Sequence, residues 1–197
     1  MKKTICIFLA LCTVLLCACG GYPKRAADGS EWSEDWVILG TVLGVEEPGS
    51  GLSLRENNAV LTGDDLYYAS WTAGGSVSYI NEDGKEVELY DAQLYLLLFG
   101  CADGDFAWQA VDEWIARENE TYNVTGTREV SCNGQDFTLL LYECGSNTNP
   151  YSRGAAAFTV YGSYAVSAEL ACRDVYSGDE EAVLLSFLEG CHYAEID

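Results

Sequence analysis

The sequence Gly154-Ala-Ala-Ala-Phe-Thr-Val-Tyr-Gly-Ser-Tyr-Ala-Val-Ser-Ala-Glu-Leu-Ala-Cys172 decides the fold. Two runs of small, aliphatic and aromatic residues flank the turn tripeptide 161–163, a pattern typical of an antiparallel β-hairpin. With that tripeptide as the loop, the facing pairs are Val160 with Tyr164, Phe158 with Val166 and Ala156 with Ala168. Because the opposite face carries Thr159, Ser167 and Glu169, we expect this hairpin to bury mainly one face.

Further hairpins and strands extend the sheet. Asp83-Gly84 joins residues 76–81 to 85–90, and Asn133-Gly134 joins residues 122–132 to 137–144. Both dipeptides readily adopt the positive backbone angles that tight hairpin turns require. The apolar run 93–99 predicts a central strand, and the aliphatic run 37–45 predicts a strand near the start of the domain.

Two segments have helical rather than strand periodicity. Residues 103–119 carry one apolar stripe, and either Asp103 or Asp105 is available as the N-cap. Residues 177–180 fit a capping box before a second apolar stripe, which Gly190 terminates. The sequence therefore predicts an α+β fold, a mostly antiparallel sheet built from hairpins with two helices packed on it as an α/β sandwich.

The N-terminal residues predict export. Lys2 and Lys3 precede the apolar run 5–16, which is the layout of a secretory signal and is too short to span a bilayer. The sequence Leu16-Cys-Ala-Cys19 resembles the bacterial lipobox, and the resemblance implies that Cys19 carries a lipid. We therefore expect a signal peptide over 1–18, a lipidated tether over 19–35 and a single domain over 36–197.

The tether and the net charge set limits on partners. Trp32 and Trp36 are spaced four apart, and we expect them to fold back onto the domain.

The chain after residue 18 has eight Lys and Arg against 31 Asp and Glu, a formal charge of −23. A surface of this charge repels phosphate backbones, which excludes nucleic acid as a partner. The expected location is the extracytoplasmic face of the cell membrane, with the lipid as the membrane contact.

Five cysteines follow Cys19, and an exported protein commonly uses them in disulfides. They are Cys101, Cys132, Cys144, Cys172 and Cys191. The predicted Asn133-Gly134 hairpin separates Cys132 from Cys144, so that pair is disfavoured. Cys144 and Cys172 are placed at the ends of neighbouring strands, and Cys101 and Cys191 beside the two helices. We therefore expect the bridges Cys144–Cys172 and Cys101–Cys191, with one thiol left over.

Motifs for catalysis are scarce. His192 is the one histidine, no G-x-S-x-G or S-x-x-K motif occurs, and no sequence matches the calcium-binding loop. The acidic pairs Asp64-Asp65 and Glu82-Asp83 lie at predicted turns, and the acids at 103–105 and 179–181 lie at helix N-termini, where negative charge is favourable. No catalytic residue, metal ligand or cofactor site is predicted.

The tyrosines and tryptophans indicate recognition instead. Exposed aromatic rings stack on sugars or pack on protein partners. Tyr67 and Trp71 lie on a predicted strand, and Tyr151 and Arg153 follow the polar loop 146–150, a segment expected to face solvent. These four residues are the candidate ligand contacts, although burial of the aromatic rings in the core is an alternative.

Several runs resemble those of a known group of proteins. Tyr90-Asp-Ala-Gln-Leu-Tyr-Leu-Leu-Leu98, Pro150-Tyr-Ser-Arg-Gly154 and Phe187-Leu-Glu-Gly-Cys-His-Tyr193 resemble uncharacterised surface lipoproteins of anaerobic Gram-positive bacteria, over about residues 90–193. The order of elements is similar to that of the PsbP-like fold. Both resemblances imply an architecture and a cell address, and neither implies catalytic residues.

Three functions remain open at this point. The first is a membrane-anchored module that binds an envelope protein or a polysaccharide, the second a carboxylate-dependent glycan hydrolase at the cell envelope, and the third a structural envelope protein. Two acids about 5 to 10 Å apart in an aromatic-lined cleft would favour the hydrolase. A flat, exposed aromatic patch would favour binding.

Overall fold

The protein is described by a computed structural model over residues 32–33, 35–40, 42–49, 51–61, 66–80, 83–145 and 150–194, with backbone alone at 57–61. The predicted signal peptide, Cys19 and most of the tether lie outside these residues. So do Asp64, Asp65, Glu82 and the loop 146–149.

Ten strands and two helices form within the described residues. In chain order they are β1 (Val37–Leu39), β2 (Leu43–Val45), β3 (Ser53–Leu61), β4 (Leu66–Ile80), β5 (Glu86–Gly100), α1 (Gly104–Thr121), β6 (Asn123–Cys132), β7 (Gln135–Glu143), β8 (Arg153–Tyr161), β9 (Tyr164–Cys172), α2 (Glu180–Glu189) and β10 (Cys191–Tyr193). Seven strands pair into one antiparallel sheet in the order β3-β4-β5-β9-β8-β7-β6. The predicted α+β class is confirmed.

The hairpin turns confirm the Asp-Gly and Asn-Gly predictions. Gly84 and Gly134 have φ of 74° and 78°, and Asn133 has φ of 46°, all in the left-handed region that such turns require. The run 93–99 lies in β5, inside the sheet between β4 and β9.

The hairpin between β8 and β9 differs by one residue from the predicted register. Tyr161 pairs with Tyr164, which leaves a two-residue loop, and Ala156 therefore faces Glu169 instead of Ala168. A shift of one residue moves every side chain of one strand to the other face. Glu169 consequently shares a face with Ala156 and Phe158.

Both faces of the sheet are covered, which corrects the expectation of one buried face. Helix α1 packs Ala107 and Val111 on β8 and β9 from one side. Helix α2 packs Leu184, Phe187 and Leu188 on the other side, within the larger core. We call these the α1 face and the α2 face. Small and aliphatic side chains line β8 and β9 on both sides, so their sequence carried no clear alternation.

The helix caps agree with the sequence at two of the three ends for which a cap was predicted. The Asp103 carboxylate accepts a hydrogen bond from the Phe106 backbone N–H at 3.0 Å, and Gly190 follows the last residue of α2. At the start of α2, Asp179 accepts from the Ala182 N–H at 2.9 Å. The predicted capping role of Ser177 is wrong because the helix begins only at Glu180.

A small second sheet closes the α2 face. Its order is β1-β2-β10, so the predicted strand 37–45 is in fact two strands that turn at Gly40, whose φ is 57°. Trp32 is buried and Trp36 is half-buried, and both lie against Gly44 of β2. The prediction that these tryptophans fold back onto the domain is confirmed.

The β4–β5 hairpin extends beyond its neighbours. Residues 76–80 and 86–90 pair with each other, past the ends of the β3 and β9 ladders. At the base of this ribbon the Asp91 carboxylate accepts from the Gly75 N–H at 2.6 Å and contacts Arg173 at 3.1 Å.

Neither helix within the described ranges is both long and apolar enough to cross a membrane.

Candidate functional site

Three tyrosines and two glutamates lie together on the α1 face, past the C-terminal end of α1. We call this cluster the tyrosine–carboxyl recess and define it by Tyr95, Glu118, Tyr142, Tyr151 and Glu169. Glu169 is closely surrounded by protein atoms yet retains access to solvent, as expected for a residue at the bottom of a concave surface. The recess therefore places a carboxyl group at the centre of a sheet.

Tyr142 and Glu169 are joined across an intervening strand. The Tyr142 hydroxyl donates a 2.6 Å hydrogen bond to Glu169 Oε1, although Tyr142 is on β7 and Glu169 on β9. Between them, on β8, stands Gly154, where an added Cβ would overlap the Tyr142 ring. Glycine is required here because the ring occupies the space of a side chain.

The end of α1 forms one wall of the recess. Tyr122, the first residue after the helix, stacks on Tyr142 with ring centroids 4.3 Å apart and an angle of 10° between the ring planes. Glu118, in the last turn, has a buried Oε2 atom without a hydrogen-bond partner. A buried polar atom of this kind is an incomplete interaction that a bound ligand can satisfy.

The opposite wall comes from β5 and from the segment before β8. Tyr95 faces Glu169 directly in the sheet register and is 43% exposed. The Tyr151 hydroxyl donates to Gln93 Oε1 at 2.8 Å on the same face. Aromatic rings, hydroxyls, an amide and carboxyl groups thus lie together on one face, and polar groups of these kinds orient ligands in small-molecule sites.

Burial dominates the electrostatics of the recess. It raises the pKa of Glu118 to about 7, with a further rise from Glu169. It also raises the pKa of Glu169, which the hydrogen bond from Tyr142 partly offsets. The pKa of Tyr95 is raised by burial, then by Glu56 and Glu169. Both carboxyl groups are therefore shifted toward the neutral, protonated form.

A shallow pocket adjoins the recess at the ends of β7 and β8. Its volume is about 290 Å³, and it is lined by Asn123, Glu143, Cys144, Gly145, Ser152, Arg153 and Asp174. Cys144 packs against the apolar cluster that contains Tyr142, and burial, then Glu169 and Glu118, raise the pKa of its thiol to about 11.

The four predicted ligand contacts have different positions. Trp71 is wrong as a contact, because it is buried on the α2 face against Phe187, with ring centroids 4.8 Å apart. Tyr67 packs on the same core and against Gly40. Tyr151 is part of the recess.

The Arg153 side chain makes contacts that stabilise the fold. Its guanidinium contacts Glu180 Oε2 at 2.9 Å and donates to the Tyr176 carbonyl oxygen at 2.7 Å, which fixes the loop before α2. It also lines the adjoining pocket.

The predicted disulfides are absent, and all five cysteines of the described chain are free thiols. Ser152 lies between Cys144 and Cys172, hydrogen-bonded to both backbones, so these two cysteines are two strand spacings apart and too distant to bridge. Cys101 lies on the α1 face and Cys191 in the core of the α2 face, with the sheet between them.

His192 is a satisfied structural residue. Its imidazole lies 2.8 Å from Glu46 Oε1 and 3.2 Å from the Asn133 amide, and it stacks on Trp36. Within the described ranges, no three His, Cys, Asp or Glu side chains form a group that would hold a metal ion.

Sequence reasoning missed most of the recess. Glu169 is the single charged residue of β9, and Tyr142 ends an aliphatic run in β7. An isolated carboxyl in an otherwise apolar strand was the available signal. The one-residue error in register placed Glu169 on the wrong face, and Tyr142 and Glu118 are distant from it in sequence.

Comparisons with known proteins do not assign the chain to a family. No family model matches the chain, and no curated protein matches it. Among solved structures, it is similar to the solution structure of cyanobacterial PsbP (CyanoP) from Synechocystis sp. PCC 6803. The sequences are 9% identical, the match covers 71% of this chain and 97% of that chain, and the TM-score is 0.38.

Proposed function

We propose that this protein is a lipid-anchored, extracytoplasmic binding module whose ligand site is the tyrosine–carboxyl recess. The observation that carries the proposal is the Tyr142–Glu169 hydrogen bond beside Glu118, whose buried Oε2 has no partner. Two partly buried acids this close together lower the stability of the fold, and unfavourable arrangements of this kind are expected at functional sites.

An uncharged oligosaccharide suits this surface. Carboxyl groups, tyrosine hydroxyls and the Gln93 amide together supply both donors and acceptors of hydrogen bonds, as sugar hydroxyls require. The exposed ring of Tyr95 offers a stacking surface. Anionic glycans are disfavoured, because the chain after residue 18 has a formal charge of −23.

Binding can be tested with the full chain in detergent and a panel of neutral oligosaccharides. We expect Tyr95→Ala to weaken binding roughly five- to 150-fold, since it removes a stacking surface worth about 1–3 kcal/mol by analogy with other stacked rings. Tyr79→Ala, on the ribbon, is the matched control and should bind like the wild type. Equal affinities for both variants would contradict the recess as the site.

A carboxylate-dependent glycan hydrolase is the second candidate. One observation favours it: a Glu118 pKa of about 7 suits a general acid. Hydrolases, however, usually hold a second acid ionised, whereas burial raises the pKa of Glu169 as well. If Glu118→Gln abolishes release of reducing ends while oligosaccharide binding persists, the hydrolase is correct.

The lipid anchor rests on the lipobox resemblance at Cys19. In a bacterial host, Cys19→Ser should abolish incorporation of labelled fatty acid and release the protein from membranes. The matched control is Cys17→Ser, which should stay labelled. Label retained in Cys19→Ser would contradict the anchor.

A further inference from the structure

The turn of the β6–β7 hairpin is clamped to the junction between α2 and β10. The Asn133 backbone N–H donates to Glu189 Oε2 at 3.0 Å, and its side-chain amide donates to the Cys191 carbonyl oxygen at 2.8 Å. Cys132 directly precedes this turn. Both cysteines are buried in the same apolar cluster, with exposed fractions of 3% and 1%.

No other pair among the five described thiols is close. Cys101 is hydrogen-bonded at the β8–β9 turn and Cys144 at the opposite end of the nine-residue strand β8, about 30 Å away. Cys172 lies near Glu180 at the start of α2 and Cys191 just past its end, a separation of about 15 Å along ten residues.

We propose that Cys132 and Cys191 form a disulfide bond when the exported chain folds. One thiolate attacks the disulfide of an external thiol–disulfide oxidant, which forms a mixed disulfide and releases one oxidant thiol. The second cysteine attacks the mixed disulfide at its own chain's sulfur, forming the Cys132–Cys191 bond and releasing the other oxidant thiol. Two protons and two electrons leave the chain, and the oxidant is reduced.

The disulfide bond has to form before Cys132 and Cys191 become buried in the folded chain. Burial raises the pKa of both thiols, and the nearby Cys132 raises that of Cys191 further. Thiols in this state are poor nucleophiles, so the completed fold protects them from later oxidation. This inference is independent of the proposed ligand site.

Peptide mapping tests the proposal on the full chain exported with its own leader. Free thiols are alkylated without reductant, and trypsin then separates residues 129–153 from residues 174–197. We expect these two peptides to be linked, and cleavage after Glu143 to leave the link on the fragment containing Cys132. Refolding the reduced chain with oxidised glutathione should give the same link.

The controls separate this pair from the others. Cys172→Ser should keep the link and Cys132→Ser should lose it; where Cys132→Ser fails to fold, the wild-type map alone decides. Reductant should lower the melting temperature of the linked protein by roughly 10 °C, because the bond closes a long loop. Alkylation of all five thiols in both exported and refolded protein, or a link through Cys144, would overturn the proposal.

Discussion

The two faces of the seven-stranded sheet share their strands but bury different chemistry. The α2 face packs Trp71, Leu94, Leu96, Leu98, Leu170 and Phe187 into one apolar core. The α1 face is apolar only beneath α1, and beyond Thr121 it holds tyrosines and acids. The first face stabilises the fold by apolar packing, whereas the second contains carboxyl groups whose raised pKa values make its contribution to stability fall as the pH rises.

The largest expected difference between the faces is in packing. Trp71→Ala should lower the free energy of unfolding by about 3–5 kcal/mol, because it leaves a cavity in the α2-face core. The measurement is urea unfolding followed by circular dichroism. Tyr68→Ala, on the other face of the same strand, is the matched control and should cost about 1 kcal/mol or less. Similar losses in both variants would remove the distinction between the faces.

The next difference is in pH dependence. In the folded chain the pKa of Glu118 is about 7, against an ordinary value of 4.5. The folded state keeps a proton that the unfolded chain releases, so this group's contribution to stability is complete below pH 4.5 and falls as the pH rises to about 7.

Glu118→Gln should remove that slope. From pH 5 to pH 8, the free energy of unfolding of the wild type should fall by on the order of 1–3 kcal/mol more than that of the variant. Urea unfolding at four pH values measures it, with Glu120→Gln on the exposed side of the same helix as control. Parallel curves for Glu118→Gln and wild type would show that Glu118 is ordinarily solvated.

The smallest expected effect concerns a single hydrogen bond. Tyr142→Phe keeps the ring stacked on Tyr122 but removes the donor to Glu169 Oε1, which should cost about 1 kcal/mol. Tyr79→Phe on the ribbon should change stability by less than about 0.5 kcal/mol. An unchanged unfolding midpoint for Tyr142→Phe would mean that solvent replaces the hydroxyl fully.

Local features of the fold were readable from the sequence. The Asp83-Gly84 and Asn133-Gly134 turns, the Asp103 cap and the Gly190 stop depend on a few neighbouring residues, and the structure confirms them. Features that depend on the placement of distant segments were not readable. The predicted disulfides failed because strand order puts β8 between Cys144 and Cys172.

The recess could not be predicted from the sequence for the same reason. A loop one residue shorter than expected turned Glu169 to the α1 face, and neither Tyr142 nor Glu118 has a local pattern that links it to Glu169. Tyr151 was singled out from its loop position alone. Its contact with Gln93 depends on how β5 and β8 are arranged around β9.

The small sheet has a consequence for the order of assembly. Leu43–Val45 pairs on one side with Val37–Leu39 and on the other with Cys191–Tyr193. During synthesis, β2 therefore emerges well before its second partner, β10. Removing β10 would leave β2 paired with β1 alone among the described strands, and so would weaken the small sheet that closes the α2 face.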